Sequence, residues 1–497
     1  MSRSLFARLH DRFERPRQLS REGISRRAFL AQLAAASAAT ISLPALASQT
    51  RRPREGAIGN VLILGAGLAG LSCSLELCRI GVPNLVVDAR GMVGGRVRTI
   101  RDMLPGLTVE AGGEYIGANH PRWLALAKQF KLTLRDAGNP DQDDATEIVH
   151  LLGRTLTDAQ AESLYHEMDE ALAHLTDLAR PIDADRPWQS PDAAALDQRT
   201  LHDWLVELDA SPLCKHAIAT QAAADNGVEP HRQSLLAVLA MIKGGGLEKF
   251  WTDSELFRCA GGNDQLAMRL WQRIGEPLFH LGTRVHTIQR KGDQFALLAH
   301  NRPPLFGTHL VLALPPSAWK SIRFEFDLPE LRAPIQMGSA CKWIATFKNR
   351  DAWSTRSAST ALVADRGFHF AWNATHGQDE TRGSALTFFA GADVATQFCA
   401  LDASARDAQG RAALSSLAPA AAPAATRTLD WPNDPLTGAG YGVAAPCQWT
   451  GILPGLVESS GPVFFAGEWC SPAFMGYMEG ALESGARAAR RVAESAA

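Results

Sequence analysis

The sequence has little net charge, few cysteines and few tyrosines for its length. Its 497 residues include 50 Lys and Arg against 52 Asp and Glu, a formal net charge of −2. A nucleic-acid partner needs a basic footprint, so this balance argues against one. Eight cysteines in so long a chain are not a disulfide scaffold, and none lies in a Cys-x-x-Cys pair or near a histidine at metal-ligand spacing. No metal site is expected, and most cysteines are interpreted as small core residues.

Strongly hydrophobic runs are also lacking. The stretch "FLAQLAAASAATISLPALA" is nearly free of charge but only weakly hydrophobic, which favours a removed signal over a membrane anchor. Ahead of it, an Arg-rich stretch with little apolar content to bury contains "SRRAFL", which resembles a twin-arginine export signal with Arg26 and Arg27 as its defining pair. We expect a signal peptide over 1–47, cleaved after Ala47, and a linker over 48–58, so that the fold begins near Asn60. The translocase would then deliver the protein to the periplasm or the extracellular space.

The stretch "NVLILGAGLAGLSCSLELCRIG" combines an apolar strand, a glycine-rich turn and an amphipathic helix. The turn reads Gly65-x-Gly67-x-x-Gly70, and the next strand, "NLVVDA", ends at Asp88. Gly65 permits the tight turn, Gly67 lets a pyrophosphate approach the backbone, and Gly70 lets the helix pack on the strand. The helix N-terminus offers unpaired N–H groups to the phosphates, and Asp88 is placed to accept hydrogen bonds from a ribose. These features predict a dinucleotide site.

Further glycine-rich motifs decide which dinucleotide. "GMVGGRVRT" and "VEAGGEYIG" follow the second strand, and "VFFAGEWCSPAFMGYMEGALESGARAARRV" closes the chain. With these motifs the sequence resembles the flavin-containing amine oxidases, which include monoamine, polyamine and L-amino-acid oxidases. The resemblance implies FAD as cofactor and a helix from about Met478 whose N-terminus points at the flavin. The cofactor-binding residues implied are Gly65, Gly67, Ala69, Gly70, Asp88, Ala89, Gly94, Gly95, Arg96, Gly112, Gly113, Glu114, Val285, Gly467, Glu468 and Met478.

The length predicts two domains, because a single core rarely extends over so many residues. We expect an α/β, Rossmann-type FAD-binding domain assembled discontinuously from 59–120, 251–325 and 456–497. An α+β substrate-binding domain of the amine oxidase type would consist of 121–250, which is mainly helical, and 326–455, in which strands predominate. The stretch 417–427 is interpreted as a low-complexity surface connection.

The resemblance also suggests the residues that carry the chemistry. Lys342 aligns with a lysine held near flavin N5 through a water, and Tyr477 and Tyr441 align with aromatics that flank the flavin. Tyr115, Trp372 and Trp469 are further candidates for the substrate pocket. Each has a structural alternative, which for Lys342 is an exposed edge-strand lysine and for the aromatic residues is ordinary core packing.

Three departures from the family pattern bear on substrate and linkage. Asp88 replaces the usual Glu, and Gly440 stands where monoamine oxidases carry the cysteine bonded to flavin, so we expect non-covalent FAD unless Cys470 or another thiol substitutes. Tyr115 stands where L-amino-acid oxidases place a carboxylate-binding Arg, a role that Arg98 could take over. Glu114 would favour a cationic substrate if it faced the pocket; otherwise it is a carboxylate paired with local backbone or with an Arg.

The resemblance implies oxidative deamination of a primary amine or L-amino acid. Hydride would pass from the carbon bearing the neutral amine to flavin N5, water would hydrolyse the imine, and dioxygen would reoxidise the flavin to give hydrogen peroxide. The alternatives are a C–C desaturase, a dehydrogenase that passes electrons to a protein partner, and a non-catalytic flavin-binding protein. A homodimer is left open.

Overall fold

The computed structural model describes residues 4–22, 28, 32, 60–137, 147–300, 302–349, 353, 361–459 and 461–495. The arginine pair of the export motif, the cleavage site at Ala47 and the linker over 48–58 lie outside these residues. Among the helices that are described, none is long and apolar enough to cross a membrane.

A five-stranded parallel sheet forms one half of the molecule, which we call the nucleotide-binding half because the sequence predicts the dinucleotide site there. Its first strand, Val61–Leu64, is wholly buried and lies between two other strands, as an unbroken apolar run predicts. The last strand along the chain joins the same sheet, so the two ends of the fold meet there. The strand order is Val463–Phe465, His309–Leu312, Val61–Leu64, Asn84–Val87 and Phe279–His280.

Helices cover this sheet, and a smaller sheet lies beside it. Helix Leu68–Ile80 packs along the closing helix Met478–Glu494, which confirms the helix that the closing motif predicts. Helix Pro121–Phe130, which begins the stretch 121–250 that the sequence assigns to the substrate domain, packs on the closing helix and on Asp264–Ile274. The smaller sheet has the order Leu305–Gly307, Gln294–Ala299, Val285–Lys291 and Arg323–Glu325, and the hairpin Thr99–Ile100 with Val109–Glu110 lies apart.

A seven-stranded, mostly antiparallel sheet organises the other half. Its central strands, Ala340–Phe347 and Ser384–Gly391, are buried along their whole length. The strand order is Arg154–Thr155, Ile148–Leu151, Leu362–Ala364, Phe370–Asn373, Ser384–Gly391, Ala340–Phe347 and Ala425–Asp430. The sheet is accompanied by the helices Asp158–Ala179, Ala193–Gln198, Leu201–Glu207, Pro212–Asn226, Leu235–Gly244, Glu248–Asp253, Ala392–Ala400 and Ala403–Leu417. The predicted α+β character is confirmed.

The beginning of the chain differs from the sequence expectation. Residues 4–22 form two helices, Leu5–Phe13 and Arg15–Glu22, which we call the N-terminal helix pair. The side chains of Leu5, Phe6 and Leu9 are almost completely buried in the main core cluster. Each such burial contributes roughly 1.5–3 kcal/mol. Leu9 lies one helical turn after Leu5 and Phe6, so a short amphipathic face was present within an otherwise Arg-rich sequence.

Candidate functional site

A long cavity of about 1470 Å³, part of it open to solvent, runs from the first strand–turn–helix unit to the seven-stranded sheet. We call it the cofactor cavity. Both ends of the chain line it, as the two glycine motifs predicted. Fourteen of the proposed cofactor residues lie on its wall: Gly65, Gly67, Ala69, Asp88, Ala89, Gly94, Gly95, Arg96, Gly112, Gly113, Val285, Gly467, Glu468 and Met478.

The glycines of the first turn fit a diphosphate. Gly65 has φ +119°, and a Cβ there would lie 2.6 Å from the carbonyl oxygen of Ala313. A Cβ on Gly70 would lie 1.9 Å from the Gly65 carbonyl oxygen, so Gly70 allows helix packing and does not line the cavity. A Cβ on Gly67 would meet no protein atom within 4 Å and would project into the space that a phosphate needs.

Two helix N-termini lie at the wall of this cavity. Helix Leu68–Ile80 begins after Gly67 and helix Met478–Glu494 begins after Tyr477, and neither N-cap residue provides a side-chain hydrogen bond. Uncapped first-turn N–H groups and the positive end of the helix dipole favour an anion. The donor set therefore suits a phosphorylated, electron-accepting cofactor such as FAD.

Carboxylates hold the loops around the cavity in place. Asp88, at the end of the second strand, accepts backbone N–H bonds from Ala66 and Arg90, each at 2.7 Å. Burial raises the pKa of Asp88 despite these bonds. Glu468 forms an ion pair with Arg96 at 2.6 Å and accepts the Gly476 backbone N–H at 2.9 Å. Glu468 thus ties the closing motif to the second glycine motif at the cavity wall.

Lys342 lies at the junction of the two halves of the molecule. Its side chain is 5% exposed and lines the cofactor cavity, so it is not an exposed edge-strand residue. Its ammonium donates to the carbonyl oxygens of Glu110 and Gly112 at 3.0 and 2.9 Å, and to Glu114 Oε2 at 2.7 Å. Three acceptors match its three N–H bonds, so a bond to a water would have to replace one of them. The water-mediated role stays a prediction.

Glu114 belongs to a buried ion cluster that the sequence did not predict. Its Oε1 forms an ion pair with Arg258 at 2.9 Å and accepts a hydrogen bond from Trp372 Nε1 at 2.8 Å. Burial acts to raise the pKa of Glu114, but the charges of Lys342 and Arg258 and the hydrogen bonds outweigh it and hold the pKa below its ordinary value. Glu114 does not line the cofactor cavity, so its predicted cofactor contact is not supported, and of its two interpretations the pairing with an Arg is the one observed.

The aromatic residues divide into two groups. Tyr441 and Tyr477 line the cofactor cavity, as the resemblance implied. Tyr115 and Trp372 do not; they pack 5.7 Å apart around the ion cluster, and the Tyr115 hydroxyl accepts from Arg258 at 2.9 Å. Trp469 is buried against Trp319 and Phe465 behind the cavity wall. These positions do not support the pocket roles of Tyr115, Trp372 and Trp469.

Gly440, which aligns with the flavin-bonded cysteine of monoamine oxidases, leaves no space for a cysteine side chain. A Cβ on Gly440 would lie 2.7 Å from the Cβ of Ala340. Cys470 does not line the cavity, and its thiol donates to the Gly467 carbonyl oxygen at 3.3 Å. Burial raises the pKa of Cys470 to about 12, so its thiol is protonated and unreactive. Both observations agree with non-covalent FAD.

A second cavity of about 700 Å³ lies on the other side of Tyr477. We call it the inner cavity. Its wall is largely apolar, and its two charged residues among those described are Asp225 and Glu255. Tyr477 lines both cavities. The other described lining residues are Ser4, Ala7, Leu172, Leu175, Leu201, Ile218, Gln221, Ala222, Asn226, Val238, Met241, Phe250, Trp251, Thr252 and Ser254.

Several residues around Tyr477 were missed at sequence level. The ring of His120 lies 5.2 Å from that of Tyr477, and burial lowers the pKa of His120 to about 3, so the imidazole is neutral. Asp225 and Glu255 lie in segments without a motif.

For Arg258 a signal was available, because a charged residue inside the apolar strand Phe257–Cys259 has to be paired. Arg98, the alternative carboxylate ligand, is exposed and lines neither cavity.

The comparisons with known proteins agree with this site. Over 465 residues the chain is 23% identical to amine oxidase [flavin-containing] A of Sus scrofa, which covers 89% of this chain and 86% of that protein. It is 23% identical to an L-amino acid dehydrogenase of Synechocystis sp., covering 87% of this chain and 94% of that one. Cyclohexylamine oxidase from Brevibacterium oxydans superimposes with a TM-score of 0.77 at 27% identity, covering 88% of this chain and 99% of the other. Residues 68–493 match the flavin containing amine oxidoreductases. The chain belongs to this family of FAD-dependent amine oxidoreductases.

Proposed function

We propose that this protein is an oxidase that deaminates a primary amine with an apolar body, releasing an imine and hydrogen peroxide. The observation that carries the proposal is the position of Tyr477, which lies between the cofactor cavity and an apolar inner cavity with two carboxylates. FAD, when bound, accepts hydride and returns the electrons to an acceptor, for which we propose dioxygen.

The inner cavity favours an amine over an α-amino acid. Amines arrive mostly as ammonium ions, which Asp225 and Glu255 attract, and apolar residues such as Leu172 and Met241 would contact the hydrocarbon part. An α-carboxylate would meet repulsion from both acids, and the described lining residues include no Lys or Arg to bind it. The L-amino acid substrate therefore remains the second candidate.

The chain's own groups would prepare the amine for oxidation. Tyr477 and Tyr441 are held in place, Tyr441 by donating to the Ala224 carbonyl oxygen at 3.0 Å. Burial raises the pKa of both hydroxyls well above 10, so neither adds negative charge beside the substrate. Aromatic faces that exclude water favour the neutral amine, which is the form able to release hydride. We also propose export by the twin-arginine route to the periplasm or the extracellular space.

A peroxide-coupled assay tests the proposal. The purified protein is offered aliphatic and aromatic monoamines, diamines, polyamines and the L-amino acids. Peroxide formation with monoamines and weak turnover of amino acids are expected. Turnover restricted to L-amino acids would contradict the amine preference. If an amine reduces the flavin and air reoxidises it only slowly in stopped flow, the protein is a dehydrogenase that needs another acceptor.

A further inference from the structure

The N-terminal helix pair forms part of the wall of the inner cavity. Ser4 and Ala7 line it directly. The backbone N–H of Ser4 donates to Glu255 Oε2 at 3.0 Å, and that of Phe6 donates to Gln221 Oε1 at 2.8 Å. The positive end of the first helix is thus directed at one of the two carboxylates that a substrate ammonium would approach.

Apolar and ionic contacts attach the helix pair to the half of the molecule that contains the seven-stranded sheet. The ring of Phe6 stacks on that of Tyr165 at 5.5 Å. Arg8, 7% exposed, pairs with Glu147 at 2.8 Å, and Arg12 pairs with Asp158 at 2.7 Å. Arginines of the helix pair are therefore matched by acidic residues of the surface on which the pair lies.

The covalent connection between this docked segment and the rest of the fold runs through residues 23–59. Those residues contain the expected export signal with its cleavage site after Ala47. The first strand begins at Val61. Cleavage after Ala47 would therefore detach the helix pair without cutting any strand of the parallel sheet or of the seven-stranded sheet.

From these contacts we infer that the N-terminal helix pair is a removable cover of the substrate cavity. While docked, it closes the inner cavity and binds Glu255; when it is released, the cavity opens to a cationic, apolar amine. The inference rests on the proposed function for the identity of the substrate. The enzyme would then be less active before processing than afterwards, so that most peroxide is formed by the processed protein.

To test this inference, the folded holoenzyme is cleaved between the helix pair and the first strand. A site for a sequence-specific protease is inserted between residues 48 and 58, and kcat/KM for hexylamine is measured before and after cleavage and removal of the fragment. If the covered form predominates ten to one, kcat/KM rises about tenfold. A synthetic peptide of residues 4–22 should then inhibit competitively. Unchanged kcat/KM after the fragment has left, or a fragment that never leaves and whose cleavage changes nothing, would overturn the inference.

Point variants in the full chain provide a second test. Arg8→Ala removes a buried ion pair of the cover and should raise kcat/KM in the uncut protein, whereas Arg17→Ala, at a half-exposed pair with Glu162, should not. Equal effects of the two variants would contradict the inference.

A binding assay separates this inference from the proposed reaction. Anisotropy of labelled peptide 4–22 on the cleaved holoenzyme, with displacement by hexyltrimethylammonium, needs no turnover. Binding and displacement without oxidation of any amine would support the cover and refute the reaction. Amine oxidation by a cleaved enzyme that does not bind the peptide would do the reverse.

Discussion

At the scale of single residues, the site depends on a group of buried charges whose partners come from distant parts of the chain. Lys342 and Arg258 share Glu114, which is almost fully buried. Burial raises the pKa of the neighbouring Glu110 to about 8, so Glu110 is protonated at pH 7 and the group carries one net positive charge beside the cofactor cavity. This charge favours the negative charge that builds on the cofactor during reduction. Removing one member leaves the others buried without compensation.

Replacing Lys342 with Met should therefore slow amine oxidation and leave FAD bound. The ammonium that orients Glu114 and the Gly112 carbonyl would be lost, and we expect kcat to fall roughly 10²-fold, as for other preorganised electrostatic groups. The flavin absorbance per protein and kcat are measured together, with Lys291→Met, at the exposed end of a strand, as control. Unchanged turnover would remove Lys342 from the site.

Glu110 gives a prediction that depends on pH. Burial raises its pKa to about 8, and its two oxygens accept from Asn263 N and Thr99 Oγ1. Between pH 4.5 and 8 the unfolded chain releases this proton while the folded chain keeps it, so rising pH destabilises the native protein by up to about 1.4 kcal/mol per unit. Below pH 4.5 both states are protonated, and above pH 8 both are ionised.

Glu110→Gln mimics the protonated carboxyl and does not titrate. Its thermal midpoint relative to the native chain should therefore increase steadily from pH 5 to pH 8 and level off above. The control is Glu494→Gln, at a side chain that is 63% exposed, for which no such trend is expected. A midpoint difference that does not change with pH would show that Glu110 is ionised throughout.

At the scale of elements, the turns before the two uncapped helices form the cofactor site. The first turn was predictable from sequence because its geometry is local: the strand, the three glycines and the helix follow one another within twenty residues. The structure shows that these glycines are needed for different reasons. Gly70 is required by protein packing, while Gly67 borders empty space.

Gly67→Ala should consequently separate folding from cofactor binding. Gly67 has φ −72°, which any residue can adopt, and the added methyl group meets no protein atom within 4 Å. We expect a folded protein with unchanged far-ultraviolet circular dichroism and an FAD affinity at least about tenfold weaker, or 1.4 kcal/mol. Gly91→Ala, which also meets nothing within 4 Å, is the control and should retain FAD. Full FAD binding by Gly67→Ala would show that the diphosphate lies elsewhere.

Elements whose surroundings come from far along the chain were less predictable. Tyr115 and Trp372 were candidates for the pocket, but the structure shows them bonded to Arg258 and Glu114, and their pocket roles stay predictions. The N-terminal helix pair was interpreted as part of a signal because its overall composition is basic. Its apolar face of Leu5, Phe6 and Leu9 is a local pattern in the sequence, but the residues that bury it, such as Tyr165 beneath Phe6, come from far along the chain.

At the scale of the whole molecule, two halves meet along Tyr477 and Lys342. Strand Val463–Phe465 is an edge strand of the sheet in the nucleotide-binding half. Lys342, from the seven-stranded sheet, donates hydrogen bonds to the carbonyl oxygens of Glu110 and Gly112. The overall α/β arrangement could be predicted because two glycine motifs some 400 residues apart have to bind one cofactor. The inner cavity could not, since Asp225 and Glu255 converge only in the folded chain.

Asp225→Asn tests the inner cavity as the entry for cationic amines. Removing this charge should raise KM for hexylamine about tenfold while kcat and FAD content stay unchanged, because the attraction acts before the chemical step. The neutralised residue lies on the cavity wall, whereas Asp209, an exposed acid outside it, gives the control Asp209→Asn. Equal KM values for the two variants would place the amine path elsewhere.

The most direct measurement is an anaerobic titration of the purified protein with hexylamine, followed by the flavin absorbance near 450 nm. The account predicts about one bound FAD per chain, complete bleaching by the amine without oxygen, and recovery of the yellow colour when air is admitted. A colourless protein that takes up no added FAD, or a flavin that no primary amine bleaches, would contradict it.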